Sequence, residues 1–93
     1  MLTILDARKA VRLSAATQDF DAELGNLMDA AKCDMQIAGV LEQEDNALYD
    51  NAIRMYLRGH FEPSAPGAES CREIYENLKS AMHMSYSYTE ATP

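Results

Sequence analysis

The chain has no tryptophan, and only two cysteines (Cys33, Cys71) and two histidines (His60, His83) in 93 residues. Each scarcity excludes something. Zinc sites bring their ligands in close pairs, such as two cysteines two to four positions apart. Here no two of Cys33, His60, Cys71 and His83 lie nearer than eleven positions, so no metal is expected. Glycine is too sparse for a phosphate-cradling loop, and no nucleophile–His–acid signature is visible. The Asp/Asn alternation of a calcium loop is missing. No apolar run approaches the ~18 residues that cross a bilayer, and the N-terminus has no basic region followed by a long apolar core, so no signal peptide and no membrane are expected. Carboxylates abound, but none sits in an apolar stretch that would raise its pKa. No enzyme and no cofactor are therefore expected.

Positive charge is also scarce. Eight Lys/Arg face fifteen Asp/Glu, a net charge of −7. The imbalance is uneven: residues 1–13 hold Arg8, Lys9 and Arg12 against Asp6, whereas residues 14–93 carry a balance of −9. Tight duplex binding needs many Lys/Arg–phosphate contacts, so the body of the chain is expected to repel DNA. A row of five tyrosines in this acidic background lacks the basic residues that a single-strand stacking platform needs.

What remains is amphipathic helix. The length suits one small domain with a modest core that neighbouring subunits would supplement. Thr3 and Asp6 have the spacing of a capping box, predicting a first helix from Ile4 to about Leu13. Residues 14–18 break the pattern. Thr17 or Asp19 is expected to cap a second helix, along which Phe20, Leu24, Leu27, Met28, Ala31, Met35 and Ala38 form one stripe. Gly39 fits its stop, and Gly25 lies within it. Asp45 or Asn46 should cap a third helix, with Leu48, Tyr49, Ala52, Ile53, Tyr56, Leu57 and His60 inward, and Asp50, Asn51, Arg54 and Arg58 opposite. Pro63 stops it. A fourth helix begins near residues 67–69, with Cys71, Ile74, Tyr75, Leu78, Ala81 and Met82 apolar and Arg72, Glu73, Glu76, Asn77 and Lys79 facing water. The short loop makes these two helices antiparallel neighbours. Both cysteines read as reduced thiols on apolar faces, and His60 as packing at a helix end. After His83, Met84, Tyr86 and Tyr88 alternate with Ser85, Ser87 and Thr89, the period of a strand. The expectation is all-α: a bundle of about four helices over residues 1–83, then a flexible or strand-like tail over 84–93.

Three stretches resemble the head–tail connector (head-completion or adaptor) proteins of tailed bacteriophages. They are Leu2-Thr-Ile-Leu-Asp-Ala-Arg-Lys-Ala-Val-Arg-Leu13, Asp19-Phe-Asp-Ala-Glu-Leu-Gly-Asn-Leu-Met-Asp-Ala-Ala-Lys32, and Ala52-Ile-Arg-Met-Tyr-Leu-Arg-Gly-His-Phe61 followed by Glu69-Ser-Cys-Arg-Glu-Ile-Tyr-Glu-Asn-Leu-Lys79. The proline-rich loop 62–67 and the residues after His83 depart from the family pattern. The resemblance implies a non-catalytic virion subunit at the head–tail junction, assembled in the host cytoplasm. It implies a ring of about twelve copies beneath the portal protein that receives a stopper or tail protein and lets DNA pass without specific binding. The residues expected to meet other subunits are Arg8, Lys9, Arg12, Arg54 and Arg58, with Tyr86 and Tyr88 in the tail. The alternative is a small acidic regulatory or DNA-mimic protein that occupies a basic site on a host protein.

Overall fold

The computed structural model describes residues 2–12 and 18–89, with backbone only at Tyr86 and Ser87. Five helical segments follow one another: α1 (Ile4–Ala10), α2 (Asp21–Ile37), α3 (Ala47–Phe61), α4 (Ala68–His83) and the single turn α5 (Tyr86–Thr89). The all-α bundle expected from the sequence is the fold.

Local signals set most helix ends. The Thr3 hydroxyl accepts from the Asp6 amide at 3.2 Å, and the Asp6 carboxylate accepts from the Thr3 amide at 3.0 Å. This is the reciprocal capping box, which satisfies two otherwise orphaned amides. Asn46 caps α3, its Oδ1 accepting from the Tyr49 amide at 3.0 Å. At the end of α2 the Gly39 amide donates to the Gln36 carbonyl at 2.9 Å and the Val40 amide to that of Met35 at 2.8 Å. Gly39 sits at φ 89°, which glycine adopts without steric cost. Both bonds of a Schellman stop are present, and Val40 and Met35, the apolar pair that accompanies it, are fully buried.

The core gathers Ala7, Leu24, Ala31, Met35, Tyr49, Ala52, Ile53, Leu57, Tyr75 and Met82 around α3, which packs on α1, α2 and α4. α3 and α4 run antiparallel: Gly59 lies against Ala68 and Arg72, and Tyr56 meets Tyr75 edge-on at 5.0 Å. A Cβ on Gly59 would stand 2.5 Å from the Arg72 Cγ and 3.2 Å from its backbone nitrogen, so this glycine sets the helix–helix distance. Gly25 has nothing within 4 Å of such a Cβ and serves no packing inside the chain.

Several expectations are corrected. Helix α1 ends at Ala10, not near Leu13 (itself outside the described residues), because Arg12 turns left-handed at φ 65°. Neither candidate side chain is seen capping α2: Thr17 lies outside the described residues, and Phe20 occupies the cap position with no side-chain bond. Phe20 is 41% exposed and leans edge-on against Phe61 rather than joining the core stripe. Leu48 and Ile74, assigned inward, are 36% and 44% exposed, and Ala81 is exposed too. Cys33 is exposed on α2, not apolar-facing; Cys71 is half-buried. Arg72 and Lys79 do not simply face water, as described below. The strand reading of residues 84–89 fails as well. Residues 86–89 form α5, Tyr88 packs on the core, its hydroxyl donates to Asn46 Oδ1 at 3.1 Å, and its carbonyl accepts from the Leu41 amide. Two internal anchors outweigh a period-two pattern with no second strand to pair with. Residues 90–93 lie outside the described part.

Candidate functional site

The chain's densest polar arrangement joins α2 to α4. The Asp34 carboxylate accepts from the Tyr75 hydroxyl at 2.6 Å and pairs with the Lys79 ammonium at 2.8 Å. Lys79 also reaches Glu76, one turn back, at 2.9 Å. Tyr56 lies edge-on to Tyr75 and stacks on His60 at 3.9 Å, and His60 Nδ1 is 2.9 Å from the Tyr56 carbonyl oxygen. The Lys79 and Tyr75 contacts hold the Asp34 carboxyl below its ordinary range. Burial, then the Asp34 acceptor, keeps the Tyr75 phenol protonated. The knot holds a carboxylate that is ionised and already bonded, so its chemistry is that of a clamp. The sequence hinted at it only through spacing: Tyr75 and Lys79 are four apart on one helix, so both reach the same neighbour.

The other polar clamps lie around α1 and the α3–α4 loop. Arg8 is only 6% exposed, and its Nε donates to Asp21 at 2.8 Å. This bond, foremost, raises the arginine's pKa and lowers that of the aspartate. Arg58 Nε donates to the Ala10 carbonyl at 2.8 Å, closing the end of α1. Arg72 donates to the Gly59 and Pro63 carbonyls at 2.8 and 3.2 Å. Groups of this kind satisfy the last carbonyls of a helix, which have no partner within it. Among the described residues one buried polar side-chain atom departs from this economy. The buried Tyr49 hydroxyl has no partner, and burial pushes its pKa to about 12.

Of the seven residues expected to meet other subunits, Arg8 is turned inward and its charge is answered by Asp21. Lys9 and Arg12 are exposed, Arg54 is half-buried, and Arg58 is exposed while bonded to α1. Tyr88 is half-buried against the core, and the Tyr86 side chain lies outside the described part. Arg12 and Arg58 come together at a groove of about 410 Å³, whose other walls include Val11, Phe61, Glu62 and Cys71. A second, shallower groove runs along α4 between Glu69, Glu73 and Glu76, with Arg72 among them. Among the described residues no three His, Cys, Asp or Glu side chains are placed to hold a metal ion, and no helix is long and apolar enough to cross a membrane.

The more telling surface is apolar. Ile37 (87%) and Met84 (82%) stand almost fully exposed, and Leu48 and Ile74 are partly so. Along α4 the inward residues are Ala68, Arg72, Tyr75, Lys79 and Met82. A second row, Cys71, Ile74, Leu78 and Ala81, runs beside it at steps of three, four and three. Comparison of the chain with protein families, with curated proteins and with solved structures found no match.

Proposed function

We propose that this protein is a structural subunit of a tailed-phage head–tail connector, working through its surfaces in a ring beneath the portal protein. One observation carries the reading: an acidic helical bundle leaves a second apolar row on α4 only partly covered, with Ile74 and Ala81 exposed and Cys71 and Leu78 half-buried, and leaves Leu48 on α3 exposed. Apolar rows left in water mark surfaces that meet another protein. The three stretches that resemble connector proteins lie largely on the helices that build this bundle. An excess of acid suits a channel through which DNA slides unretained. The DNA-mimic alternative rests on the −9 balance of residues 14–93, but the exposed acids are spread over several helices, and in the α4 groove Arg72 lies among Glu69, Glu73 and Glu76.

The test is co-sedimentation of the purified protein with DNA-filled capsids bearing portal protein but no tail, followed by electron microscopy of the portal vertex. Added density at that vertex is the expected result. Protein that stays wholly in the supernatant, with portal present and accessible, overturns the reading.

A further inference from the structure

Two partly uncovered faces lie on different helices. Helix α2 turns Leu24, Ala31 and Met35 into the core against α3, so its exposed residues point outward on the far side. These include Ala22, Glu23, Asn26, Asp29, Ala30, Cys33 and Ile37. Helix α3, in turn, buries Tyr49, Ala52, Ile53, Leu57 and Gly59. Its other side carries Leu48, Asn51, Met55 and Arg58, none of them fully buried, although Met55 also touches the core and Arg58 holds the Ala10 carbonyl of α1. The outer row of α4 flanks that side, since Cys71 and Arg58 line the same groove. The apolar residues of this seam are Leu48 and Met55 on α3 and Cys71, Ile74, Leu78 and Ala81 on α4. At one end the seam is basic, through Arg58 and Arg12, with Glu62 as the acid in the groove. The outer face of α2 carries the other sign: Glu23 and Asp29 are exposed, and the only base of that helix, Lys32, is half-buried and paired with Glu42 at 3.4 Å.

We propose that the α3–α4 seam is a docking surface for the outer face of α2 of a second copy of this chain. The match is of apolar row to apolar row (Ile74, Leu78 and Leu48 against Ala22, Ala30 and Ile37) and of arginine to carboxylate. Such charge complementarity fixes which faces meet and in what orientation. Because the two faces are different surfaces of one subunit, the contact is heterologous. It repeats head to tail and closes into a ring where the rotation allows. It also gives Gly25 a use, as a position where a neighbouring helix approaches closely. The inference deepens the connector reading and rests on it only for the ring's setting, since the contact itself is between copies of this chain.

Two exposed positions test it: Ala30→Arg blocks the α2 face, and Ile74→Glu sets an acid into the seam opposite Glu23 and Asp29. In sedimentation velocity across a wide concentration range, wild type is expected to associate, and each variant to associate at least about tenfold more weakly, a 1.4 kcal/mol effect, with helix content by circular dichroism unchanged. Mixed, the two variants are expected to recover association but stop at one-to-one pairs, because each retains one intact face. The native thiols give a second readout, one lying on each face. A flexible bismaleimide is expected to produce a ladder of covalent multimers joined Cys33 to Cys71. Variants that associate like wild type, a mixture that gains nothing, or cross-linking confined to Cys33–Cys33 pairs each overturn the inference. So does a wild type that stays single at every concentration while still binding portal-bearing capsids, which leaves the connector reading standing. Self-association through these faces without capsid binding does the reverse.

Discussion

The two ends of the bundle are closed by different chemistry. Where α2 stops and α3 starts, the closure is backbone and apolar. Gly39 turns left-handed over the buried Met35–Val40 pair, and Asn46 caps α3 while accepting from Tyr88. Where α1 ends and the loop 62–67 joins α3 to α4, the closure is made by arginines: Arg8 on Asp21, Arg58 on the Ala10 carbonyl, Arg72 on the Gly59 and Pro63 carbonyls. The first kind uses short side chains whose only good position is at a helix end. The second uses long side chains that reach across the fold. Substitutions at each end should therefore differ in size and in kind.

The largest effect is expected at the apolar end. Met35 is fully buried beneath the α2 stop, and Met35→Ala should cost about 2–5 kcal/mol by urea unfolding through lost burial and the cavity left behind. A loss within experimental error would mean that the Schellman stop holds without its apolar pair. The next effect belongs to the arginine end. Gly59→Ala places a methyl 2.5 Å from Arg72 Cγ, with the Arg72 nitrogen and the Ala68 carbonyl oxygen at 3.2 and 3.3 Å. The side chain can yield but the backbone cannot, so about 1–3 kcal/mol of overpacking should outweigh alanine's better helix propensity. If Gly59→Ala is instead stabilising, α3 and α4 move apart at little cost, and Gly59 does not set their distance.

Asn46→Ala follows in size. It removes the α3 cap and leaves the Tyr88 hydroxyl without its acceptor, at a cost of about 1–2 kcal/mol. Amide exchange should quicken in both the first turn of α3 and α5. Faster exchange in α3 alone would show that α5 does not depend on the cap. Gly25→Ala should run the other way. With nothing within 4 Å of the new methyl, the monomer should gain up to about 1 kcal/mol from helix propensity alone. A loss would place an unseen neighbour against α2.

This contrast also marks how far the sequence could be read. Local caps and stops were legible at either end: Asn46 and Gly39 where the closure is apolar, Thr3 with Asp6 and Pro63 near the arginines, each in a role that follows from residue type. The arginine contacts were not. Nothing local says that Arg58 reaches a carbonyl 48 positions away, or that Arg8 folds inward onto Asp21. Its pairing was read as a charge to be answered by a neighbour, and the chain answers it itself. The α4 pattern failed differently. Its apolar positions form two adjacent rows, and periodicity shows their union without saying which row meets the core. Ile74 and Ala81 were misplaced for that reason, and the row they belong to is what now points to a partner. The alternation after His83 misled because period-two spacing over six residues also fits a turn of helix anchored by one tyrosine.

The smallest effect is the most selective. Asp34, Asp21 and Asp6 all hold their carboxyls below the ordinary value of 3.8, through Lys79 and Tyr75, through Arg8, and through Thr3 respectively. A carboxyl whose folded pKa is depressed binds fewer protons in the native state than in the unfolded one. Its stabilisation is complete above the unfolded pKa and is lost as pH falls below about 3.8 through the folded value. Stability should thus be flat near neutrality and decline on acidification. Asp34→Asn separates one contributor. The amide keeps an acceptor for Tyr75 but loses the ion pair to Lys79. Because the Asp34 side chain is 42% exposed, the loss at neutral pH should stay under about 1 kcal/mol. The acid slope of the variant should be shallower, so the two unfolding curves converge at low pH. Parallel curves would mean that the Asp34 carboxylate contributes nothing specific. The acid sensitivity would then reside with the other depressed carboxyls, Asp21, Asp6 and Asp45, and would belong to neither end of the bundle alone.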